Sequence, residues 1–384
     1  MIPYSFSHQS FIVIDRALSD LKRALPIQWI ETDTDTNIQH KWALWAAESI
    51  SASEWSWFMN HIHPYTSLYL SNPRRQYLEQ HYQETIPHGI KLPETLEMLN
   101  LLICSPEINI PVLSFQPDNT RKILAEPHYQ SALTLCKLGE MLPAFIACPV
   151  DKLPKEMQND FPWHHVTKNA VDHYHHTRDY DLSLISQAPL HLHEINQHAH
   201  IYAFRTLQGD KEHYAITIGN ITPNTINPNH PPLVRVHSSC YTGDLFGSLR
   251  CDCQEQFHSA LLRMSEHPNG GILLYLLQEG RGIGLANKLR TYDLQEQGYD
   301  TVDANHLIGF DDDERPFIPA VRLLEWFGCH NIELLTNNPR KGEELSRHGI
   351  HIHALIPHIM NTNPLNEHYL KTKAVRMRHH LPPL

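Results

Sequence analysis

Three cysteines stand close together in LVRVHSSCYTGDLFGSLRCDCQEQ: Cys240, then Cys251 after ten residues, then Cys253. Strand side chains two apart share a face, so Cys251 and Cys253 are expected on one side with Asp252 turned away. The excursion through Thr242, Gly243 and Asp244 can fold back to bring Cys240 beside them. Three thiolates suit zinc and leave a fourth position for water, which the metal makes more acidic. Cys253 also abuts an expected helix start, where the dipole favours a thiolate. Three buried cysteines acting as small hydrophobes fit the same spacing. The Asp, Thr, Arg and Ser around them favour the metal.

Further along, LLYLLQEGRGIGLANKLR reads as a strand, a glycine-rich turn and a helix. Glu279-Gly280-Arg281 opens a loop whose backbone can approach an anion, and Arg281 adds a fork suited to phosphate oxygens. A glycine-rich turn is more often a tight connection than a ligand site. Arg235, Arg250, Arg315 and Lys341, also near element ends, form a candidate cationic cluster. In IGFDDDERPF, Asp311, Asp312, Asp313 and Glu314 surround Arg315. This is either a solvated acidic turn or a general base or metal partner beside a phosphate-binding arginine. The loop Thr336-Asn337-Asn338-Pro339 is open between a turn and a base or phosphate contact.

The positioning elements alternate. Strands are expected at Leu233–His237, Gly271–Leu277, Ile332–Leu335 and Ile350–Ala354. Helices are expected at Gln254–Ser265 (Phe257, Leu261, Leu262), Leu285–Gln297 (Leu285, Leu289, Tyr292 on one face), Ala320–Phe327 and Lys341–Arg347. That alternation predicts α/β with part of the sheet parallel. Asn220–Pro232 reads as a surface loop. The change of texture near Ser186–Leu190 sets an expected boundary between domains 1–188 and 189–384.

The chain has 384 residues, 41% hydrophobic and 19% charged, with a net charge of −11. These values fit a globular protein of two or three domains. The acidic balance argues against indiscriminate nucleic-acid binding. No apolar run reaches the ~18 residues of a membrane span, and Met1–Ser10 lacks secretory character. Seven unevenly spaced cysteines do not form a disulfide framework, which points to the cytoplasm. His164, His165, His173, His175 and His176 read as surface residues.

Together RVHSSCYTGD, SLRCDC, QEGRGIGLANKLR, DANHLIGF, DERPF, LLTNNPRK and NPLNEHYLKTKA resemble GTP cyclohydrolase II, in order and spacing, over about Leu233–Tyr369. The resemblance implies that Cys240, Cys251 and Cys253 ligate one Zn²⁺ per subunit. It implies GTP contacts at Arg235, Val236, His237, Ser238, Ser239, Gln256, Glu279, Gly280, Arg281, Thr301, Thr336 and Lys341. Asp313 resembles the proton acceptor, Arg315 the nucleophile toward the α-phosphate, and Tyr292 a tyrosine near the ring chemistry. Arg315 serves equally as an electrostatic stabiliser, and His237 equally as a core residue. Mg²⁺ with the phosphates, a homodimer and riboflavin synthesis follow from the same resemblance. Family members commonly carry Glu before the first zinc cysteine; here it is Ser239. A paralogue acting on another nucleotide, and a non-catalytic nucleotide-binding regulator, are the alternatives.

Residues 1–188 resemble dihydroxybutanone phosphate synthase in ALSDLKRALPIQWIE, LWAAESISASEWSWFMNHIHPYTSLYLS and EPHYQSALTLCKLGEMLPAFIACPV. The acidic loop of that family is replaced by Glu31–Asn37. His128 matches a metal-binding histidine, but Tyr129 and Gln130 depart from the pattern. Cys148 or Pro149 stands where a catalytic glutamate belongs. An inactive, degenerate domain with a structural or assembly role is expected. The fold expected for the whole is α/β, two domains, each a mixed sheet flanked by helices.

Overall fold

The computed structural model describes residues 6–32, 37–106, 124–193, 195–206, 211–360 and 376. Three stretches singled out in the sequence, Met1–Ser5, Asp33–Thr36 of the acidic loop and Asn363–Ala374, lie outside the described residues. The rest falls into two compact units, drawn from 1–176 with 286–313 and from 177–285 with 314–384.

The first unit begins α1 (Phe6–Lys22), β1 (Ile27–Thr32), β2 (Gln39–Ala46), α2 (Ala52–His61), β3 (Ser67–Leu70) and α3 (Asn72–Tyr82). It continues with β4 (Gly89–Lys91), α4 (Leu96–Cys104), α5 (His128–Leu138), β5 (Ala144–Pro149), α6 (Lys155–Asp160), β6 (His165–Thr167) and α7 (Lys168–Thr177). Its described strands run β4-β3-β5-β2-β1-β6, with β1 parallel to β6 and the other pairs antiparallel. Local chemistry sets the helix ends. At α2, Ser51 accepts the Glu54 amide while Glu54 accepts the Ser51 amide, a reciprocal cap. The core is aromatic: Trp29, Tyr69, Tyr129, Phe145 and Tyr174 are buried together, and Tyr69 stacks on Phe145 at 4.8 Å.

The second unit opens with a meander of β7 (Leu182–Leu190), β8 (Ala199–Thr206) and β9 (Glu212–Ile218). The chain then alternates through β10 (Leu233–Ser238), α8 (Cys253–Glu266) and β11 (Gly271–Leu276). After α9 (Leu285–Glu296) and α10 (Thr301–Leu307) come α11 (Ile318–Phe327), β12 (Asn331–Leu335), α12 (Pro339–Arg347) and β13 (His351–Ile356). The described strands run β13-β12-β10-β11-β9-β8-β7, parallel from β13 to β11 and antiparallel beyond. Each unit is thus a mixed α/β sheet flanked by helices. The 188/189 position lies inside β7, where Leu182–Leu190 pairs with Ala199–Thr206; the packing unit changes at His176/Thr177.

Strand alternation decides what β10 offers each face. Val234 and Val236 pack with Ile272, Leu274, Leu324 and Phe327, the α11 side. Leu233 packs with Leu261, Met264 and Leu273 beneath α8, and Arg235 and His237 share its face. Two helical faces differ from the sequence expectation. On α8, Ala260, Leu261 and Met264 are buried while Leu262 is 44% exposed. On α9, Asn287, Lys288, Thr291 and Leu294 are buried while Leu289 is 50% exposed.

Candidate metal centre and surrounding site

The cysteines meet at the carboxyl ends of the parallel strands, where open α/β sheets place their ligands. β10 leads through Ser238 and Ser239 to Cys240, and Tyr241–Leu245 forms one wide helical turn. Cys251 sits in a bend and Cys253 is the first residue of α8. The expected shared strand face is therefore absent. The sulfurs converge because the wide turn folds over the start of the helix. Asp252, expected to face away, is buried at 3% and accepts the Gln256 amide at 2.5 Å.

All three sulfur atoms lie within 4.8 Å of one another. Cys240 Sγ and Cys251 Sγ are 3.7 Å apart, and the Gly243 amide donates to Cys240 Sγ at 3.3 Å. A Cβ on Gly243 would meet Cys251 Sγ and Cys253 Cβ at 2.9 Å and Cys240 Sγ at 3.0 Å. Glycine is thus what keeps the space between the sulfurs open. Crowding also disfavours ionisation without a counter-ion. Contact with Cys240 is the largest cause pushing the Cys251 thiol up to about 11, and it likewise leads the rise at Cys253. A bound cation inverts that preference, because a coordinating thiol gives up its proton. The donor set and the cradle fit a thiophilic metal ion, and this cluster can hold one.

A buried carboxylate organises the turn. Asp244 accepts from the Cys240 amide at 3.0 Å, from the Tyr275 hydroxyl at 2.8 Å, and lies 3.3 Å from His237 Nε2. His237 stacks on Tyr275 at 5.5 Å with Phe257 edge-on to both. Burial holds His237 below its usual pKa, with Asp244 acting in the opposite direction. The family resemblance placed His237 among nucleotide contacts, with a core role equally open, and Asp244 was named only as part of the excursion that folds back. The signal was there: an Asp beside a glycine, four residues past Cys240, is a turn-stabilising residue.

The remaining residues of this unit cluster nearby. The Arg235 guanidinium, 6% exposed, donates to Leu335 O at 3.2 Å and to Gln256 Oε1. Burial pushes its pKa down to about 10, leaving it charged at neutral pH. Lys341 Nζ donates to Val236 O at 2.7 Å. Glu279 accepts the Tyr241 amide at 2.6 Å, so the glycine-rich loop also braces the cysteine turn. Within that loop Gly280 and Arg281 are both left-handed, at φ 62° and 63°. This costs an arginine backbone roughly 1–2 kcal/mol. Arg281 O accepts the Glu314 amide at 3.1 Å, and Arg315 Nη1 donates to Ser238 Oγ at 3.1 Å. Ser239 is 3% exposed and its hydroxyl accepts the Gln278 amide at 3.2 Å. Thr336 Oγ1 accepts the Asn338 amide at 3.0 Å, and Asn338 caps α12.

Three predicted residues, Tyr292, Thr301 and Asp313, fall in the first unit with segment 286–313. Lys288 Nζ lies 5.7 Å from the Tyr292 ring centre. Thr301 starts α10, which Asp300 caps through the Val302 and Asp303 amides. Asp311 pairs with Lys137 at 2.7 Å and Asp312 with His306 at 2.7 Å. Elsewhere in that unit, the residues singled out for synthase chemistry have other partners. Trp29 donates to His128 Nδ1 at 3.3 Å and Trp42 to Glu31 at 3.1 Å. Cys148 is fully buried on β5, which pushes its thiol up to about 12. His165, His173, His175 and His176 are exposed, and His164 pairs with Asp20 at 2.6 Å. Among the described residues no helix is long and apolar enough to cross a membrane.

Residues 185–357 match the sequence profile of GTP cyclohydrolase II. GTP cyclohydrolase-2 of Azospirillum brasilense is 49% identical over 179 residues, 47% of this chain and 45% of that one. Riboflavin biosynthesis protein RibBA of Synechocystis sp. is 37% identical over 271 residues, 66% of this chain and 46% of that one. This chain thus spans about half the length of those two relatives. It spans 87% of the GTP cyclohydrolase-2 of Shigella boydii, at 49% identity over 176 residues, 46% of this chain. A solved two-domain 3,4-dihydroxy-2-butanone 4-phosphate synthase from A. baumannii overlaps 84% of this chain and 93% of that one. Its identity is 12% and its TM-score 0.31. With a bacterial cyclohydrolase matched over most of its length at this identity, the chain belongs to the GTP cyclohydrolase II family of hydrolases.

Proposed function

We propose that this protein is a zinc-dependent GTP cyclohydrolase II that converts GTP to the ring-opened pyrimidine nucleotide, formate and pyrophosphate, the first step of riboflavin biosynthesis. The observation that carries the reading is the convergence of Cys240, Cys251 and Cys253 around Gly243. These three thiolates would hold one Zn²⁺ per chain, which supplies Lewis acidity for hydrolysis near neutral pH. Around them the chain's own residues prepare the site. Asp244, Glu279 and Tyr275 fix the turn; Arg235 and Lys341 bring buried positive charge to an otherwise acidic protein. Arg281, Arg315 and Lys341 would meet the phosphates, with Mg²⁺ supplying further charge neutralisation when bound. A guanidinium stays protonated at working pH, so Arg315 serves the α-phosphate through charge and forked donors. Asp313 as proton acceptor, Tyr292 near the ring and Thr301 as a GTP contact enter the proposal through the family resemblance alone.

The proposal includes a homodimer in the cytoplasm without a nucleic-acid partner. Residues 1–188 would be a decayed synthase-like domain without synthase activity, kept for a structural or assembly role. Formate and pyrophosphate release by the purified protein with GTP and Mg²⁺ tests the reading, and equal yields are expected. A second reading, a paralogue that opens another purine nucleotide, is favoured by one observation. Ser239 turns its hydroxyl to the Gln278 amide, so the side chain at this position is taken up by the protein itself. Release from a different purine nucleotide, with none from GTP, would establish it instead.

A further inference from the structure

We infer that the body of the first unit holds segment 286–313 in place for the reaction, with Arg74 and Ser71 as positioning residues. The inference rests on the proposed cyclohydrolase reading, in which Tyr292, Thr301 and Asp313 of that segment take part.

The segment belongs by sequence to the family region, residues 185–357, yet it packs with residues 1–176. Its anchors are specific. Arg74 on α3 is 1% exposed, and its guanidinium reaches two helix ends at once. Nε donates to Leu102 O at 2.7 Å, and Nη2 to Leu101 O at 2.7 Å and Ser105 O at 2.9 Å, all at the end of α4. Nη1 donates to Leu307 O at 2.9 Å, the last residue of α10. Two helix carboxyl ends, each carrying partial negative charge, thus offset one buried cation. Three residues earlier, Ser71 Oγ donates to Gly309 O at 2.6 Å. A Cβ on Gly309, at φ +92°, would meet Ser71 Oγ at 2.7 Å and Pro143 Cγ at 2.9 Å, so the chain lies directly on this surface.

α9 is held by the same body. Its buried face is polar, and buried polar groups need partners. Asn287 Nδ2 donates to Glu140 O at 2.8 Å. Arg290 pairs with Glu48 at 3.0 Å, and the same carboxylate oxygen accepts the Leu142 amide at 2.9 Å. Glu48, Ser71, Arg74, Lys137 and Glu140 all lie outside the family region. The first unit thereby has a task that needs no synthase chemistry.

The test uses full-length Ser71→Ala, Arg74→Gln and Lys137→Ala, the first and last being mild enough to leave folding intact. Formate release from GTP, zinc content and peptide-resolved hydrogen exchange are measured for each. Ser71→Ala and Arg74→Gln are expected to lower kcat about tenfold or more, since small misplacements of reacting groups are that costly. KM should move less, exchange over 301–310 should quicken, and zinc content and exchange in β10 and β11 should stay as in the wild type. Lys137→Ala should give a smaller change of the same kind. Unchanged exchange over 301–310 in Ser71→Ala and Arg74→Gln would overturn the holding role. Quickened exchange with undiminished kcat would overturn its link to the reaction. A wild-type protein that releases no formate sinks the cyclohydrolase reading and that link with it, while the exchange results still decide the holding.

Discussion

The Cys240 amide donates to the Asp244 carboxylate at 3.0 Å, closing the turn that presents the first sulfur. The same oxygen, Oδ2, also accepts the Tyr275 hydroxyl at 2.8 Å, and both carboxylate oxygens lie 3.3 Å from His237 Nε2. Removing the acceptor would take this partner from the Cys240 N–H and from the Tyr275 hydroxyl, and an unsatisfied buried donor costs about 1–3 kcal/mol. Asp244→Ala is therefore expected to weaken zinc affinity about tenfold or more. Asp244→Asn, which keeps one carbonyl oxygen, should lose less. Competition with a chromophoric chelator measures both.

The cradle itself makes a sharper contrast. Cys251→Ser should abolish zinc content and formate release while leaving the α/β scaffold folded. Gly243→Ala retains every ligand but places a methyl 2.9 Å from Cys251 Sγ. It too should lose metal, by occupancy of the space rather than by loss of a donor. Elemental analysis beside circular dichroism checks the pair; full zinc in Gly243→Ala would mean that the turn opens more easily than its contacts indicate.

His358 gives a pH signature separate from catalysis. It is fully buried, with Nε2 3.2 Å from Ser259 Oγ, and burial, then Arg235 and Arg263, push its pKa down to about 3. Because the folded value lies below the ordinary histidine value, the unfolded chain takes up the proton first. The stabilisation is complete above pH ~6.5 and falls as acid is added toward the folded pKa, by about 2 kcal/mol between pH ~6.5 and pH ~5. Urea unfolding of metal-free wild type and His358→Gln across that interval should show a shallower pH dependence in the variant.

Much of the second unit was legible because its strands and helices keep their apolar periods. β10, β11, α8, α11 and α12 lie within a few residues of their expected bounds, and Gly328 stops α11 with a left-handed turn. The cysteines were legible as a set, but the reason was not: a strand face was expected where a bend and a helix start bring the sulfurs in. Apolar spacing misled at α9, whose buried side is Asn287, Lys288 and Thr291. The surface receiving it offers the Glu140 carbonyl and the Glu48 carboxylate, so burial there follows hydrogen bonding rather than hydrophobicity. Nothing local records which of two sheets a helix will join. Segment 286–313 is held by Glu48, Ser71, Arg74, Lys137 and Glu140, all far upstream in the chain.

That woven path changes what severing the backbone would accomplish. A protease nicking the peptide bond between His176 and Thr177 would break the direct covalent link, yet the amino-terminal fragment would still grip α10 through Arg74. The two pieces should co-elute under native conditions and part only in denaturant, like a lock whose bolt passes through both leaves of a door.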